Sequence, residues 1–162
     1  MSKTDSLDDS ADLCADPRGS MWRRWDPHLH TPGTAFNDQF PKSDGWERWL
    51  TAVESATPRI EALGITDYWS IDNYEKVLGF WKEGRLPNVK LIFPNIELRL
   101  AVGTLEKGRA INVHLLVCPD DPHHVKQARR LLGTLKFKYR GEEYHCTPDD
   151  LIALGKAHNP KL

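Results

Sequence analysis

No run in these 162 residues approaches the roughly 20 consecutive apolar residues that a membrane-spanning helix needs. The opening Met1-Ser-Lys-Thr-Asp-Ser-Leu-Asp-Asp-Ser lacks the apolar stretch of a signal peptide. Cysteine is scarce: Cys14, Cys118 and Cys146 are odd in number and far apart. That argues against a disulfide framework and for a reduced, cytoplasmic protein. Charge of one sign is missing as well, with 22 Lys and Arg against 23 Asp and Glu and a net charge of -1. A wholly basic nucleic-acid binder is therefore disfavoured, although a local patch is not. Internal repeats and low-complexity segments are absent. What is present, 40% apolar and 28% charged residues, is ordinary globular composition.

Residues 1–20 carry Asp5, Asp8, Asp9, Asp12 and Asp16 and no aromatic residue, so the expectation is a disordered acidic tail. Order is expected from 21 onward. Trp25 to Leu29 reads as a short extended run. Ser43 can cap a helix using Trp46, Trp49, Leu50 and Val53. Thr57-Pro58 reads as the start of a further helix through Ile60 and Leu63, closed by Gly64. Ile65 to Tyr68 is β-prone, and Ser70 can cap a helix to about Glu83. Val89 to Leu100 reads as a strand, with Pro94 marking an edge or a bulge. Ile111 to Val117 is a second clear strand, and His123 to Leu135 reads as helix. Thr147-Pro148-Asp149-Asp150 carries cap, proline and first-turn acids for a last helix. The alternation predicts an α/β fold with a mostly parallel sheet. The six Trp read as core packing, and Lys126, Arg129, Arg130 and Lys136 to Arg140 as a modest basic region on a solvated face.

Asp26-Pro-His28-Leu-His30-Thr is the first segment that carries chemistry. On an extended strand alternate side chains share a face, so Asp26, His28 and His30 are expected to point one way. Imidazole and carboxylate together suit Zn, Mn or Fe; an exposed polar edge with two solvated histidines is the plain alternative. Asp67 ends a short strand and is followed by Tyr68. Glu97 and Arg99 share one face of an otherwise apolar strand, and His114 lies among aliphatic residues. A carboxylate in such a strand is costly to bury unless it is paired or binds metal. Each of these residues could singly be a satisfied core polar group. Jointly they put hard-metal ligands on four successive predicted strands, as active sites at barrel ends do.

Asp-x-His-x-His-Thr at 26–31, Leu-Gly-Ile-Thr-Asp at 63–67, Asn-Ile-Glu at 95–97 and the strand histidine at 114 together resemble the PHP domain, the polymerase and histidinol phosphatase family. The flanking His-Thr-Pro-Gly-Thr-Ala-Phe-Asn-Asp and Ile-Thr-Asp-Tyr-Trp resemble the subgroup in which such a domain precedes an ATPase of the SMC or AAA kind (TrlF-like proteins). The resemblance implies a distorted (β/α)7 TIM-like barrel holding two or three Mn, Zn or Fe ions and hydrolysing phosphoesters. It implies that His28 and His30 hold one metal, that Glu97 bridges two, and that His114 holds the second. Asp26 and Asp67 match positions close to the metals, and Asp38 the ligand often supplied from the loop after the first motif.

Two departures accompany the resemblance. Tyr68 stands where the family usually has histidine, and a phenol with its pKa of about 10 is a poor ligand at neutral pH. Either the site holds fewer metals, or Tyr68 instead donates to a substrate oxygen; Arg99, two residues from Glu97, could stabilise phosphoryl charge. Nothing after His114 supplies the family's closing Asp-x-His. A complete barrel takes roughly 250 residues, and only about four strands are legible. The expectation is thus that 21–162 is the N-terminal portion of a PHP-type domain lacking its last strands, weakly active alone. A C-terminal continuation such as an ATPase domain is expected. The substrate is expected to be a nucleic-acid phosphodiester or a small phosphomonoester. The alternative is a non-catalytic regulatory or interaction module.

Overall fold

The computed structural model describes residues 22–35, 38–103 and 110–161, so the acidic tail lies outside the described residues. Their order is β1 (Arg24–His30), α1 (Gly45–Glu54), β2 (Ile60–Tyr68), α2 (Asp72–Lys82), β3 (Leu91–Gly103), β4 (Ala110–Leu116), α3 (His124–Thr134), β5 (Lys136–Tyr139), β6 (Glu142–His145) and α4 (Pro148–His158). The main sheet is ordered β1-β2-β3-β4 and curls as a half-barrel. Its first three strands are parallel, each pair linked through a helix, while β4 runs antiparallel to β3. Too few residues separate β3 from β4 for a helical crossover, so the chain can only fold back.

The segment after Thr57-Pro58 is not the expected helix. Ile60, Ala62, Leu63 and Ile65 belong to β2, a strand flanked on both sides and buried on both faces. Such strands read as continuous apolar runs, and the short run at 60–65 fits either period. Gly64 is therefore no helix cap. It sits in mid-strand because β1 passes very close: a Cβ there would lie 2.1 Å from the carbonyl oxygen of Pro27 and 2.6 Å from its carbonyl carbon.

Pro94 lies in an interior strand, not at an edge. Its carbonyl accepts from Val117 N at 3.0 Å, just past the end of β4 at Leu116, where the missing N–H breaks no ladder. Residues 136–140, expected as part of a basic face, form β5 and the turn into β6 of a β5–β6 hairpin. Arg140 and Gly141 both have positive φ at its two-residue turn, and Lys136 pairs with Glu143 at 2.7 Å. Arg129 likewise pairs with Asp72 and Glu75, so these two cations of the basic region are neutralised in place.

Thr147 caps α4 as expected, whereas the N-cap of α2 is Ile71, one residue past the expected Ser70, and that of α1 is Asp44 in place of the expected Ser43. Ser70 Oγ accepts from Asp72 N at 3.0 Å, and Thr147 Oγ1 from Asp150 N at 3.3 Å. One face of the sheet packs under the helices. Trp49, Leu50 and Val53 of α1, Tyr74 and Val77 of α2, and Ala128 and Leu132 of α3 join Leu63, Ile65, Ile92 and Ile96 in one core. Of the six Trp, Trp49 is buried in the core and Trp46 and Trp69 pack against it, whereas Trp22, Trp25 and Trp81 are exposed.

Candidate metal centre

Sheet register assembles the opposite face. His30 pairs with Thr66 and Thr66 with Asn95; one rung on, Tyr68 pairs with Glu97 and Glu97 with His114. Alternation then places His30, Tyr68, Glu97, Arg99, Asn112 and His114 on the face turned away from the helices. Four strands thus deliver polar side chains to one patch that no single segment could form.

At its centre Glu97 Oε2 lies 3.4 Å from His28 Nε2 and 3.6 Å from His30 Nε2, and the two imidazole nitrogens stand 3.2 Å apart. These atoms form the one group of three or more metal-capable ligands found among the described residues. The Glu97 side chain is only 2% exposed, and Oε2 is buried without a hydrogen-bond partner. A carboxylate oxygen in that position is costly unless a cation completes it. The spacing suits one ion, because a tetrahedral site with bonds of about 2.1 Å puts its ligand atoms about 3.4 Å apart.

The groups behind the ligands set which atoms face inward. His30 Nδ1 lies 3.1 Å from the carbonyl oxygen of Thr66; donating there leaves the Nε2 lone pair directed at the cluster. The indole N–H of Trp49 holds the His30 carbonyl at 3.0 Å. Asn112 Nδ2 donates to Glu97 Oε1, leaving Oε2 as the open oxygen. Asn95 ties three strands together: Nδ2 donates to the Pro27 carbonyl at 2.8 Å, and Oδ1 accepts from His114 Nδ1 at 2.9 Å. That bond leaves His114 Nε2 as the acceptor nitrogen, with the ring centroid 4.5 Å from that of His28. Asn95 and Asn112 each precede a candidate ligand by two residues, which places them on the ligand face; that spacing was the sequence signal for their role.

Tyr68 stacks on His30 with ring centroids 5.4 Å apart and planes 18° apart, and the Arg99 guanidinium lies 5.3 Å from the Tyr68 ring. Directly after Tyr68 the chain turns at Trp69, whose φ of 55 is unusual for a bulky residue; its N–H donates to the Glu97 carbonyl at 3.3 Å. The ring of Tyr68 is thereby fixed beside the ligands.

Three expected site residues stand elsewhere. Asp26 does not share the face of His28 and His30, because a register shift between Asp26 and Leu29 inserts an extra residue. Asp26 pairs with Leu63 and His30 with Thr66, positions of β2 that face opposite ways. Asp67 also alternates to the helix side. Its Oδ1 accepts from Asn73 Nδ2 at 2.7 Å and its Oδ2 from Asn73 N at 3.0 Å, which anchors the first turn of α2. Burial pushes the Asp67 carboxyl above its ordinary pKa, against the opposing pull of those bonds. Asp38 is exposed and accepts from Phe40 N at 3.2 Å, a local turn contact.

No protein-family model, no curated protein and no solved structure matches the chain. The site has to be read on its own chemistry. Two histidines and a buried glutamate that leave further coordination positions open are the donor set of hydrolytic zinc sites and of other divalent centres. No helix among the described residues is long and apolar enough to cross a membrane.

Proposed function

We propose that the chain is the metal-bearing portion of a metal-dependent phosphoesterase of the PHP type, its curled sheet forming part of a (β/α)7 barrel. The observation that carries this reading is the buried, partnerless Glu97 Oε2 aimed between two imidazole nitrogens. His28, His30 and Glu97 hold the ion, and Mn, Zn or Fe suits that donor set. A divalent cation held there acidifies water and so supplies hydroxide near neutral pH. The protein does the rest. Thr66 and Asn95 fix the tautomers of His30 and His114, and β2 and β3 hold the ligands in register. Arg99, on the ligand face and braced over Tyr68, stabilises negative charge on phosphoryl oxygens. The substrate class is a nucleic-acid phosphodiester or a small phosphomonoester, and the activity belongs to a larger protein with a C-terminal continuation such as an ATPase domain.

One observation favours a second reading, a non-catalytic module that uses the same patch for binding. Tyr68, where a further imidazole would add a ligand, is instead stacked against His30. The deciding experiment loads the purified chain with Mn and follows hydrolysis of bis(4-nitrophenyl) phosphate and 4-nitrophenyl phosphate. His28→Ala combined with His30→Ala is expected to abolish Mn retention and turnover together. Turnover that survives the double substitution refutes the phosphoesterase reading. Stoichiometric Mn uptake without turnover by the chain or by a longer form favours the module.

A further inference from the structure

The structure assigns this centre a single metal ion per chain, with Asn112 as the positioning residue that limits it to one. The inference rests on the metal-site reading above but departs from the two or three ions that the family resemblance implies.

A carboxylate bridges two cations by offering one oxygen to each. Here the two oxygens of Glu97 are not equivalent. Oε1 takes the amide N–H of Asn112, delivered from the neighbouring strand where Asn112 pairs with Arg99, two residues from the Glu97–His114 pair. Only Oε2 is open, and it faces both His28 and His30. The three ligand atoms lie 3.2, 3.4 and 3.6 Å from one another, the edge lengths expected around one ion rather than two.

Among the described residues, His114 is the one further candidate ligand on this face that could share a second ion with Glu97 Oε1. His114 Nε2 is left as the acceptor nitrogen by the Nδ1 bond to Asn95, yet His114 falls outside the group of mutually close ligand atoms. Asp26 and Asp67, the carboxylates nearest in sequence, both lie on the other face of the sheet. Tyr68 adds a phenol rather than an imidazole beside His30. A cation between Glu97 Oε1 and His114 would have to break the hydrogen bond that Asn112 Nδ2 donates to Oε1.

The test counts ions. Wild-type chain and Asn112→Ala are equilibrated with Mn(II), freed of excess by gel filtration, and analysed for metal per chain. Spin coupling between ions is then read by electron paramagnetic resonance. One Mn per wild-type chain with an isolated six-line spectrum is expected. Asn112→Ala, with Oε1 released, is expected to take up a second, exchange-coupled Mn. Asn112→Gln, which can still donate to Oε1, is expected to stay at one. Two or more Mn in the wild type, or a stoichiometry unaltered in Asn112→Ala, overturns the inference and leaves the phosphoesterase reading standing. No Mn in the wild type overturns both. The wild-type count needs no variant to fold, and circular dichroism of both variants checks that any change in stoichiometry is not lost structure.

Discussion

The close passage of β1 over Gly64 links the fold to the centre, and adding one methyl group there tests that link. The Cβ of Gly64→Ala would stand 2.1 Å from Pro27 O, 2.6 Å from Pro27 C and 2.9 Å from Phe93 Cε2. Phe93 can rotate; a carbonyl in the β1 bulge cannot. To restore ordinary contact β1 must retreat by about 1.3 Å, and overpacking that moves backbone costs about 3 kcal/mol, the upper end of the usual range. With a urea m-value of about 2 kcal/mol/M for a domain of this size, the midpoint falls by about 1.5 M. The retreat also carries His28, the next residue in the chain, away from Glu97. Mn affinity should then drop on the order of tenfold to a hundredfold, the usual effect of a misplaced ligand shell. Gly79→Ala is the control. Gly79 lies in α2 with nothing within 4 Å of its virtual Cβ, so alanine should stabilise by about 0.5–1 kcal/mol. Urea titration with calorimetric Mn binding reads both quantities. A Gly64→Ala protein with wild-type midpoint and wild-type Mn affinity would refute the packing argument.

Two further outcomes follow from groups away from the centre. Arg85 clamps Glu54 through Nε at 2.8 Å and Nη2 at 3.1 Å and also holds Glu47, and these bonds pull both carboxyls below their ordinary pKa. A depressed carboxyl stabilises the fold above its unfolded pKa, and that contribution is lost as pH falls through the folded value. Arg85→Lys, which cannot form the fork, should therefore lower the urea midpoint at neutral pH and converge with wild type in acid; a difference independent of pH contradicts the assignment. Cys146 is buried, its Sγ 3.3 Å from the Trp69 carbonyl, and burial pushes its thiol up to about 11, whereas Cys118 is exposed. Iodoacetamide at neutral pH should label Cys118 well before Cys146, with peptide mass mapping as the readout; equal labelling would mean that the β6–α4 junction opens readily.

Local chemistry was legible wherever neighbouring residues set it. The Thr147 start, the apolar spacing of Trp46, Trp49, Leu50 and Val53, and strands β3 and β4 are short-range features, and short-range energetics decides them. Legible too were the candidate metal-binding residues His28, His30 and Glu97, because imidazoles and a carboxylate set into apolar strands are conspicuous in any fold. Tertiary structure decided the rest. Whether 60–68 is helix or strand depends on β1 and β3 lying on either side of it, which an apolar run cannot announce. The β5–β6 hairpin was hidden because its alternating charged residues read equally well as a solvated face. Above all, which ligands meet is a matter of phase. One extra residue between Asp26 and Leu29 turns Asp26 from the face His28 and His30 share, since side chains alternate with a period of two, and only the partner strand fixes where that count slips.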